Sequence, residues 1–322
     1  MITITLLIGA ISLATVFLYG CIGEILMEKV GHLNLGIPGI MCLGTAGGCF
    51  GISIYMGTLS DPTKPVWILL ILVAIFSSAI FSMFGGAIYA FLTVTLRCNQ
   101  NITGLALTTF GSGLTQFIMS KFVDKTYFGH AGNVMSSGFV NDPNANPVLR
   151  LFFSHGFFVY FSIVIAVICW FVLKYTRVGL HLRSIGENPA TADAAGINIT
   201  GYKYVTILIG SSIAGLGGVF YIMDYLKGSW ENSSTIEAFG WLAIALVIFT
   251  LWKPNISIIG SFVFGLCSIV AFVLNLGSTQ KELFKLLPYV VPVVVLLFTS
   301  IRKNKNIQPP AALGLSYFRE DR

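Results

Sequence analysis

The sequence predicts an all-α protein, a polytopic transmembrane helical bundle, from three observations. Of its 322 residues, 55% are hydrophobic and only 10% are charged, and the mean hydropathy is +0.84. A water-soluble domain carries about 25% charged residues, so this composition excludes that class. Apolar runs such as VWILLILVAIFSSAIF (66–81) do not alternate with polar residues, which excludes the strands of about 10 residues that form a membrane β-barrel.

The chain divides into about nine candidate spans, with a range of about 8–10, because a spanning helix takes about 20 apolar residues. The apolar stretches are 2–22, 35–57, 66–95, 101–119, 152–174, 201–226, 239–252, 256–277 and 286–301. The first has no basic leader and no small-residue cleavage site, so we interpret it as a retained helix rather than a signal peptide. We expect a single transmembrane domain over 1–301 and a tail at 302–322.

The basic residues predict the orientation. With the N-terminus outside, 12 of the 19 Lys and Arg residues fall on the cytoplasmic side, and seven acidic residues balance the seven basic ones outside. The formal charge of +6 then lies wholly in the cytoplasm, as the positive-inside rule requires. This orientation places segment 177–198 and the tail in the cytoplasm and loop 120–150 outside. A nucleic-acid partner is not needed to explain the basic pI.

Small residues indicate close helix packing. MCLGTAGGCFG (41–51) and ILIGSSIAGLGGV (207–219) place Gly, Ala or Ser four residues apart, a spacing that lets helices in lipid approach closely. GHLNLGIPGI (31–40) has glycines and a proline that no uniform helix favours, so we expect a broken entry into the second span. In loop 120–150, the Asn, Pro and Gly content predicts turns and one short surface helix.

Polar residues in the spans are mostly neutral. Thr108, Ser112 and Gln116 follow an i, i+4, i+8 stripe, which suits an uncharged or zwitterionic solute, although such hydroxyls also bond back to their own helix. Asn34 is a candidate pathway residue or, alternatively, the cap of the second helix. We place Glu24 at the inner membrane interface. Without a chain of intramembrane Asp, Glu or His, the sequence argues against a proton-driven transporter.

Metal and catalytic sites find little support. The six cysteines form no CxxC pair and the four histidines have no ligand spacing, so we predict no metal site, and we expect the cysteines to be buried apolar residues. Convergent acid, base or metal groups, which a membrane enzyme needs, are not evident, and we predict no catalytic residue.

The stretch RSIGENPATADAAGIN (183–198) predicts a short helix between two apolar segments. Asn188 suits the N-cap, Pro189 suits the first helical position and Gly196 suits the stop position. A helix of about seven residues is too short to be stable alone in water and too poor in large apolar side chains to anchor in lipid. We therefore expect it to bind a partner protein in the cytoplasm.

This stretch resembles the cytoplasmic coupling segment of ABC importer permeases of bacteria, in the family that handles branched-chain amino acids, simple sugars and nucleosides. That family shows a pattern like R-x-x-G-x-N-P-x-A-A-x-x-x-G-I-N. GHLNLGIPGIMCLGTAGG (31–48) and SSIAGLGGVFY (211–221) resemble two further family segments in the same order. PPAALGLSYFRED (309–321) is similar to the end of permeases in the nucleoside branch, which pair with a basic-membrane-protein-type lipoprotein.

The resemblance implies a permease without a catalytic site in a bacterial plasma membrane, with no cofactor of its own. The chain has no GxxxxGK[ST] loop, so ATP and Mg would bind a separate cytoplasmic ABC ATPase. Further implied partners are a second permease, more often a paralogue, and an extracytoplasmic solute-binding lipoprotein. The residues implied to couple to the ATPase are Arg183, Gly186, Glu187, Asn188, Pro189, Ala192, Asp193 and Gly196.

The resemblance leaves the solute open among a nucleoside, a nucleoside-like vitamin such as riboflavin, a simple sugar and a branched-chain amino acid. A passive channel for small polar solutes is the alternative from another class, but it has no use for a capped cytoplasmic helix.

Overall fold

The computed structural model describes residues 2–140, 145–273, 280, 286–288, 290–291, 293–294 and 308–318. Within these residues, every assigned regular element is a helix. The first six helices are α1 (Ile2–Lys29), α2 (Ile37–Thr58), α3 (Trp67–Ala90), α4 (Gln100–Lys121), α5 (Phe128–Met135) and α6 (Pro147–Phe153). The next six are α7 (Phe157–Tyr175), α8 (Arg177–Glu187), α9 (Pro189–Ala194), α10 (Ile199–Phe220), α11 (Ser234–Phe249) and α12 (Pro254–Val273).

Five of these helices are long and apolar enough to cross a membrane: α1, α2, α3, α7 and α10. Two of them, α3 and α10, continue as π-helical turns over Phe91–Thr95 and Tyr221–Tyr225. Helices α11 and α12 are shorter apolar helices, and α4 is long but less apolar. The helical bundle is therefore confirmed. The count of about nine spans is not, and the predicted span at 286–301 lies largely outside the described residues.

Helix α1 lies at the centre of the bundle, where it packs against α7, α10, α11 and α12. Helix α2 lies beside it and contacts α3, α4, α10 and α11. The largest fully buried side chains include Phe17, Tyr19, Phe158 and Phe220. Because Tyr19 donates its hydroxyl to the Phe158 carbonyl at 2.8 Å, the polar end of this buried ring is satisfied.

The predicted small-residue contacts join α2 to α10. A Cβ added at Gly44 would lie 2.3 Å from the Cα of Gly215, and one added at Gly48 would lie 2.3 Å from a methyl carbon of Val219. Real carbon atoms do not approach so closely, so the two backbones can meet only where side chains are missing. This close approach supplies the van der Waals contact that holds helices together in lipid.

The breaks between helices follow the sequence signals. Residues 30–36 are not helical, so the second span has the broken entry that was expected at GHLNLGIPGI. Leu251 and Trp252 both have positive φ, at 56° and 55°, and they turn the chain between α11 and α12 just before Pro254.

Loop 120–150 differs from its prediction because it contains two short helices, α5 and α6, rather than one. Helix α5 is also partly buried: Phe128, Ala131 and Met135 belong to the core. Phe128 packs closely on the backbone of Gly228, just after the π-turn that extends α10. The apolar residues that drive this packing recur at i, i+3 and i+7, a helical period within a stretch dominated by turn residues.

Candidate coupling surface and solute pathway

Helix α9 is defined by its two ends. Asn188 is its N-cap, and the Asn188 side chain accepts a hydrogen bond from the Thr191 amide at 3.0 Å, while Pro189 takes the first helical position. At the other end, Gly196 has a φ of +79°. The amides of Gly196 and Ile197 donate to the carbonyls of Asp193 and Ala192, the two bonds of a Schellman motif. The predicted helix is confirmed, with six residues.

Helix α8, which directly precedes α9, was not predicted. The segment therefore contains two helices rather than the single one expected. Helix α8 runs from Arg177 to Glu187, and Asn188 both ends it and caps α9. Leu182 and Ile185 face the interior of the protein. The apolar spacing of Val178, Leu182 and Ile185 is a helical signal that could have identified this helix. We call residues 177–198 the coupling segment, after the role that the resemblance implies for them.

The structure divides the predicted coupling residues into an exposed and a buried set. The exposed residues are Arg183, Glu187, Asn188 and Gly196. Ala192 is only 2% exposed and anchors α9 to the protein, whereas Ala194 and Ala195 are exposed. Pro189 and Asp193 are half-buried.

Gly186 is buried where α8 crosses the end of α1. A Cβ at this position would lie 2.3 Å from the Lys29 carbonyl oxygen and 3.3 Å from the Cβ of Pro310. The close approach explains why this position requires glycine. Gly186 therefore joins the coupling segment to the bundle rather than lying on an outer surface.

The C-terminal tail packs on the coupling segment, which the sequence did not reveal. The Ala312 amide donates to the Gly186 carbonyl at 2.9 Å, and the Gly314 amide donates to the Gly31 carbonyl at 3.1 Å. The Tyr317 hydroxyl donates to Oδ2 of Asp193 at 2.9 Å. Residues 308–318 thus link α8, α9 and the α1–α2 turn.

Two carboxylates near the C-terminal end of α1 are buried. Glu24 is 0% exposed and lies inside the protein, and its position at the membrane interface stays a prediction. Its Oε1 accepts a hydrogen bond from the Asn34 amide at 2.9 Å. Glu28 accepts a hydrogen bond from the indole of Trp252. These contacts connect α1 to the α1–α2 turn and to the turn that follows α11.

His32 lies in the same α1–α2 turn and is also buried. Its ring packs edge-on against Tyr89 of α3, with 6.2 Å between ring centroids. Both ring nitrogens lack a hydrogen-bond partner among the described residues. Burial and the nearby Lys203 ammonium hold the pKa of His32 well below its usual range, so the imidazole is neutral at pH 7.

The predicted pathway residues fall into different surroundings. Asn34 is fully buried, and its Oδ1 accepts from the Gly36 amide at 2.9 Å just before α2. Thr108 donates to the Leu35 carbonyl, and the Ser112 hydroxyl lies 2.9 Å from that of Ser233. These two hydroxyls therefore bond to other segments rather than back to α4. Gln116 is exposed at the far end of the stripe.

The outward face of α4 mixes polar and large apolar side chains. Its exposed residues include Asn101, Thr109, Gln116 and Ser120 together with Ile102, Leu105, Phe110 and Phe117. The hydroxyls of Thr109 and Ser120 donate to carbonyls of their own helix, which satisfies them without a partner. Because polar side chains in a span normally face protein or water, Gln116 makes this face a candidate contact for a protein partner or an aqueous pathway.

Metal ligands do not gather in the described part of the chain: no three His, Cys, Asp or Glu side chains there could hold an ion together.

Comparison with known proteins identifies the family. Residues 6–296 match the family described as the permease component of the branched-chain amino acid transport system. This chain belongs to that family. It is an ABC transporter permease and a multi-pass membrane protein.

Several named permeases are similar to this chain over almost its full length. The nucleoside ABC transporter permease protein NupC of Lactococcus lactis subsp. cremoris is 30% identical over 95% of this chain and 94% of its own. The guanosine ABC transporter permease protein NupQ of Bacillus subtilis is 26% identical over 94% of this chain and 92% of its own. A Haloferax volcanii protein, TsgC13, provisionally named a glucose ABC transporter permease, is 29% identical over 98% of both chains.

Two of these bacteria have a second relative of this permease. NupB of Lactococcus lactis is 25% identical over 68% of this chain and 60% of its own, and NupP of Bacillus subtilis is 25% identical over 66% and 57%. Each is also named an ABC transporter permease protein, for nucleosides and for guanosine respectively.

Proposed function

We propose that this permease is one of two membrane subunits of an ABC importer for a nucleoside or nucleoside-like solute. The observation that carries the proposal is the match to NupC and NupQ, which extends over more than nine-tenths of each chain. A match of that extent includes the coupling segment as well as the spans. ATP hydrolysis then takes place on a separate cytoplasmic subunit.

A simple sugar is the second candidate solute. The similarity to TsgC13 covers 98% of both chains at 29% identity. Sequence identity alone therefore distinguishes little between a nucleoside and a sugar as the solute. In such importers an external lipoprotein selects the solute before the permease meets it, and for this reason the named relatives guide the choice more than any pocket in this chain.

The coupling segment is the proposed contact with the ATPase. Ala194, Ala195 and Gly196 form a small, smooth, exposed end on α9, which suits insertion into a groove of another protein. Arg183 and Glu187 are exposed beside it and supply polar contacts at the rim. This role places the segment in the cytoplasm and the N-terminus outside.

The second permease subunit is proposed to cover the outward face of α4. That face carries Gln116 and other polar residues beside large apolar ones such as Phe110 and Phe117, and a solute could pass between it and the matching surface of the partner. Since two bacteria each have a pair of related permeases, we expect the partner to be a paralogue. A solute-binding lipoprotein would deliver the solute at the opposite end, near α5 and α6.

Uptake measurements test the solute and the energy source. Cells that express the permease with its neighbouring ATPase, second permease and lipoprotein should accumulate labelled guanosine or uridine, and depletion of ATP should abolish the accumulation. Glucose uptake without nucleoside uptake would favour the second candidate. Uptake that continues without ATP would indicate a passive channel and contradict the proposal.

Crosslinking tests the coupling contact separately. A cysteine at Ala194 should crosslink to the ATPase subunit in intact membranes, because Ala194 is exposed on α9. The matched control is a cysteine at Thr63, which is in the loop between α2 and α3 at the other end of the bundle and should not crosslink. Equal crosslinking from both positions, or none from Ala194, would refute the contact.

A further inference from the structure

A polar cavity of about 420 Å³ lies between the coupling segment, the end of α3, the start of α10 and the tail. Its lining includes Arg97, Lys203 and Thr200, together with Asn198 and Ser316. It is distinct from the outward face of α4, where we propose that the solute passes. The volume is within the range of small-molecule sites in proteins.

Lys203 is the unusual group in this cavity. The residue is only 6% exposed, and no carboxylate among the described residues forms an ion pair with it. Its near neighbour His32 is a neutral imidazole without a hydrogen-bond partner in the described structure. A buried ammonium without a counter-charge is costly, so an anion supplied from outside would stabilise it.

Arg97 and the first turn of α10 favour an anion in this cavity as well. Arg97 brings a second positive charge to the cavity, and its guanidinium lies 4.7 Å from the ring centroid of Phe318 in the tail. Ile199 and Thr200 form the first turn of α10, whose amide groups and helix dipole attract negative charge. One acidic residue, Asp193, also contributes to the lining, and its charge opposes an anion; its carboxylate accepts the hydrogen bond from Tyr317.

We propose that this cavity binds a phosphate-bearing anion, held by Lys203, Arg97 and the first turn of α10. Such a ligand bridges α10, the loop that follows α9 and the tail, so it fastens the coupling segment to the bundle. The phosphate comes either from a lipid headgroup or from a free phosphorylated molecule. The site is independent of the transported solute, and its test does not require uptake.

Thermal unfolding of the full chain in phosphatidylcholine nanodiscs tests the free-phosphate source. At constant ionic strength, inorganic phosphate should raise the unfolding midpoint of the wild type. Lys203→Met should weaken this response by about tenfold or more in apparent affinity, because a charge-assisted hydrogen bond is lost. The control is Lys174→Met, which removes an exposed lysine from the end of α7 and should respond like the wild type.

Nanodiscs that contain phosphatidylglycerol test the lipid source. Without added phosphate, this lipid should raise the midpoint of the wild type but not that of Lys203→Met if the headgroup is the ligand. A response in either arm that depends on Lys203 supports the site. The same response in the wild type and in Lys203→Met, or no response in both arms, overturns it.

Chemical labelling of the wild type keeps the test valid if Lys203→Met does not fold. Reductive methylation of Lys203, followed by mass spectrometry, should slow when inorganic phosphate or phosphatidylglycerol is present, while Lys174 should react at an unchanged rate. Methylation of Lys203 at the same rate under all conditions would contradict the proposal.

Discussion

The α2–α10 contact and the coupling segment are held in place by different means. Where α2 meets α10, Gly44 lies against Gly215 with no room for a methyl group. The coupling segment is joined to the rest of the chain by the buried side chains of Leu182, Ile185 and Ala192, by the close approach at Gly186 and by a few hydrogen bonds from the tail. The first contact leaves no space for an added atom, whereas part of the second consists of single hydrogen bonds that can break one at a time.

This difference indicates how force would pass through the molecule. Closely packed cores deform little, so α1, α2 and α10 would move together as a rigid unit. The coupling segment adds α8, which crosses the end of α1 at Gly186, and it would transmit motion to that unit. A substitution in the glycine contact should therefore lower the stability of the whole bundle, and one in the coupling segment should change that stability little.

The largest expected effect is at the glycine contact. Gly44→Ala should destabilise the protein by about 3 kcal/mol, since the added methyl group forces α2 and α10 apart. The measurement is the thermal unfolding midpoint in detergent. Gly57→Ala is the matched control on the same helix, because a Cβ there meets nothing within 4 Å, and it should be neutral or slightly stabilising. Equal destabilisation by both changes would mean that the contact is not tight.

The second largest effect should be a loss of stability at acid pH, which arises from His32 in the α1–α2 turn. The unfolded imidazole takes up a proton below about pH 6.5, but burial and Lys203 keep the folded one neutral. The unfolded state therefore binds more protons, and stability falls as the pH drops below that value. His32→Gln should flatten the dependence of the unfolding midpoint on pH between 7 and 5. The exposed His130 is the control, and His130→Gln should keep the wild-type slope.

The sequence predicted the helix caps and the close helix packing better than it predicted the contacts between distant segments, and the reason is physical. The caps of α9 depend on Asn188, Pro189 and Gly196, which lie within a few residues of the groups they bond. Local signals of this kind can be read from the sequence alone. The spacing of small residues likewise predicted that α2 and α10 each pack closely against another helix, because this spacing depends on the period of a helix, but it did not predict that the two helices contact each other.

Contacts between distant segments could not be predicted in this way. The tail bonds to Glu187 and Asp193 across 124 residues of chain, and the Ala312 bond uses backbone atoms that carry no sequence signal. The burial of Glu24 against the Asn34 amide could not be predicted, because that contact depends on how the α1–α2 turn folds. Lys203 was counted only as a cytoplasmic charge, since its burial follows from the packing of α10 against its neighbours.

A smaller effect should follow from removal of the N-cap of α9. Asn188→Ala should cost about 1 kcal/mol locally and fray α9, which reduces ATP-driven uptake several-fold without a change in the global unfolding midpoint. Asn188→Asp keeps an acceptor for the Thr191 amide and should restore uptake. A fall in the global midpoint as large as that of Gly44→Ala would show that the coupling segment is part of the rigid core.

The smallest expected effect is at the bond between the tail and α9. Tyr317→Phe removes only the hydroxyl that donates to Asp193, a loss of about 1 kcal/mol, so the tail should open more often while the bundle stays folded. Hydrogen exchange of residues 308–318 should become faster, and exchange in α2 and α10 should not change. Leu315→Ala is the control. Because Leu315 is 62% exposed, loss of its side chain should not change the hydrogen-exchange rate of residues 308–318. Faster exchange throughout α8 and α9 as well would mean that the tail, rather than Ala192, holds the coupling segment on the bundle.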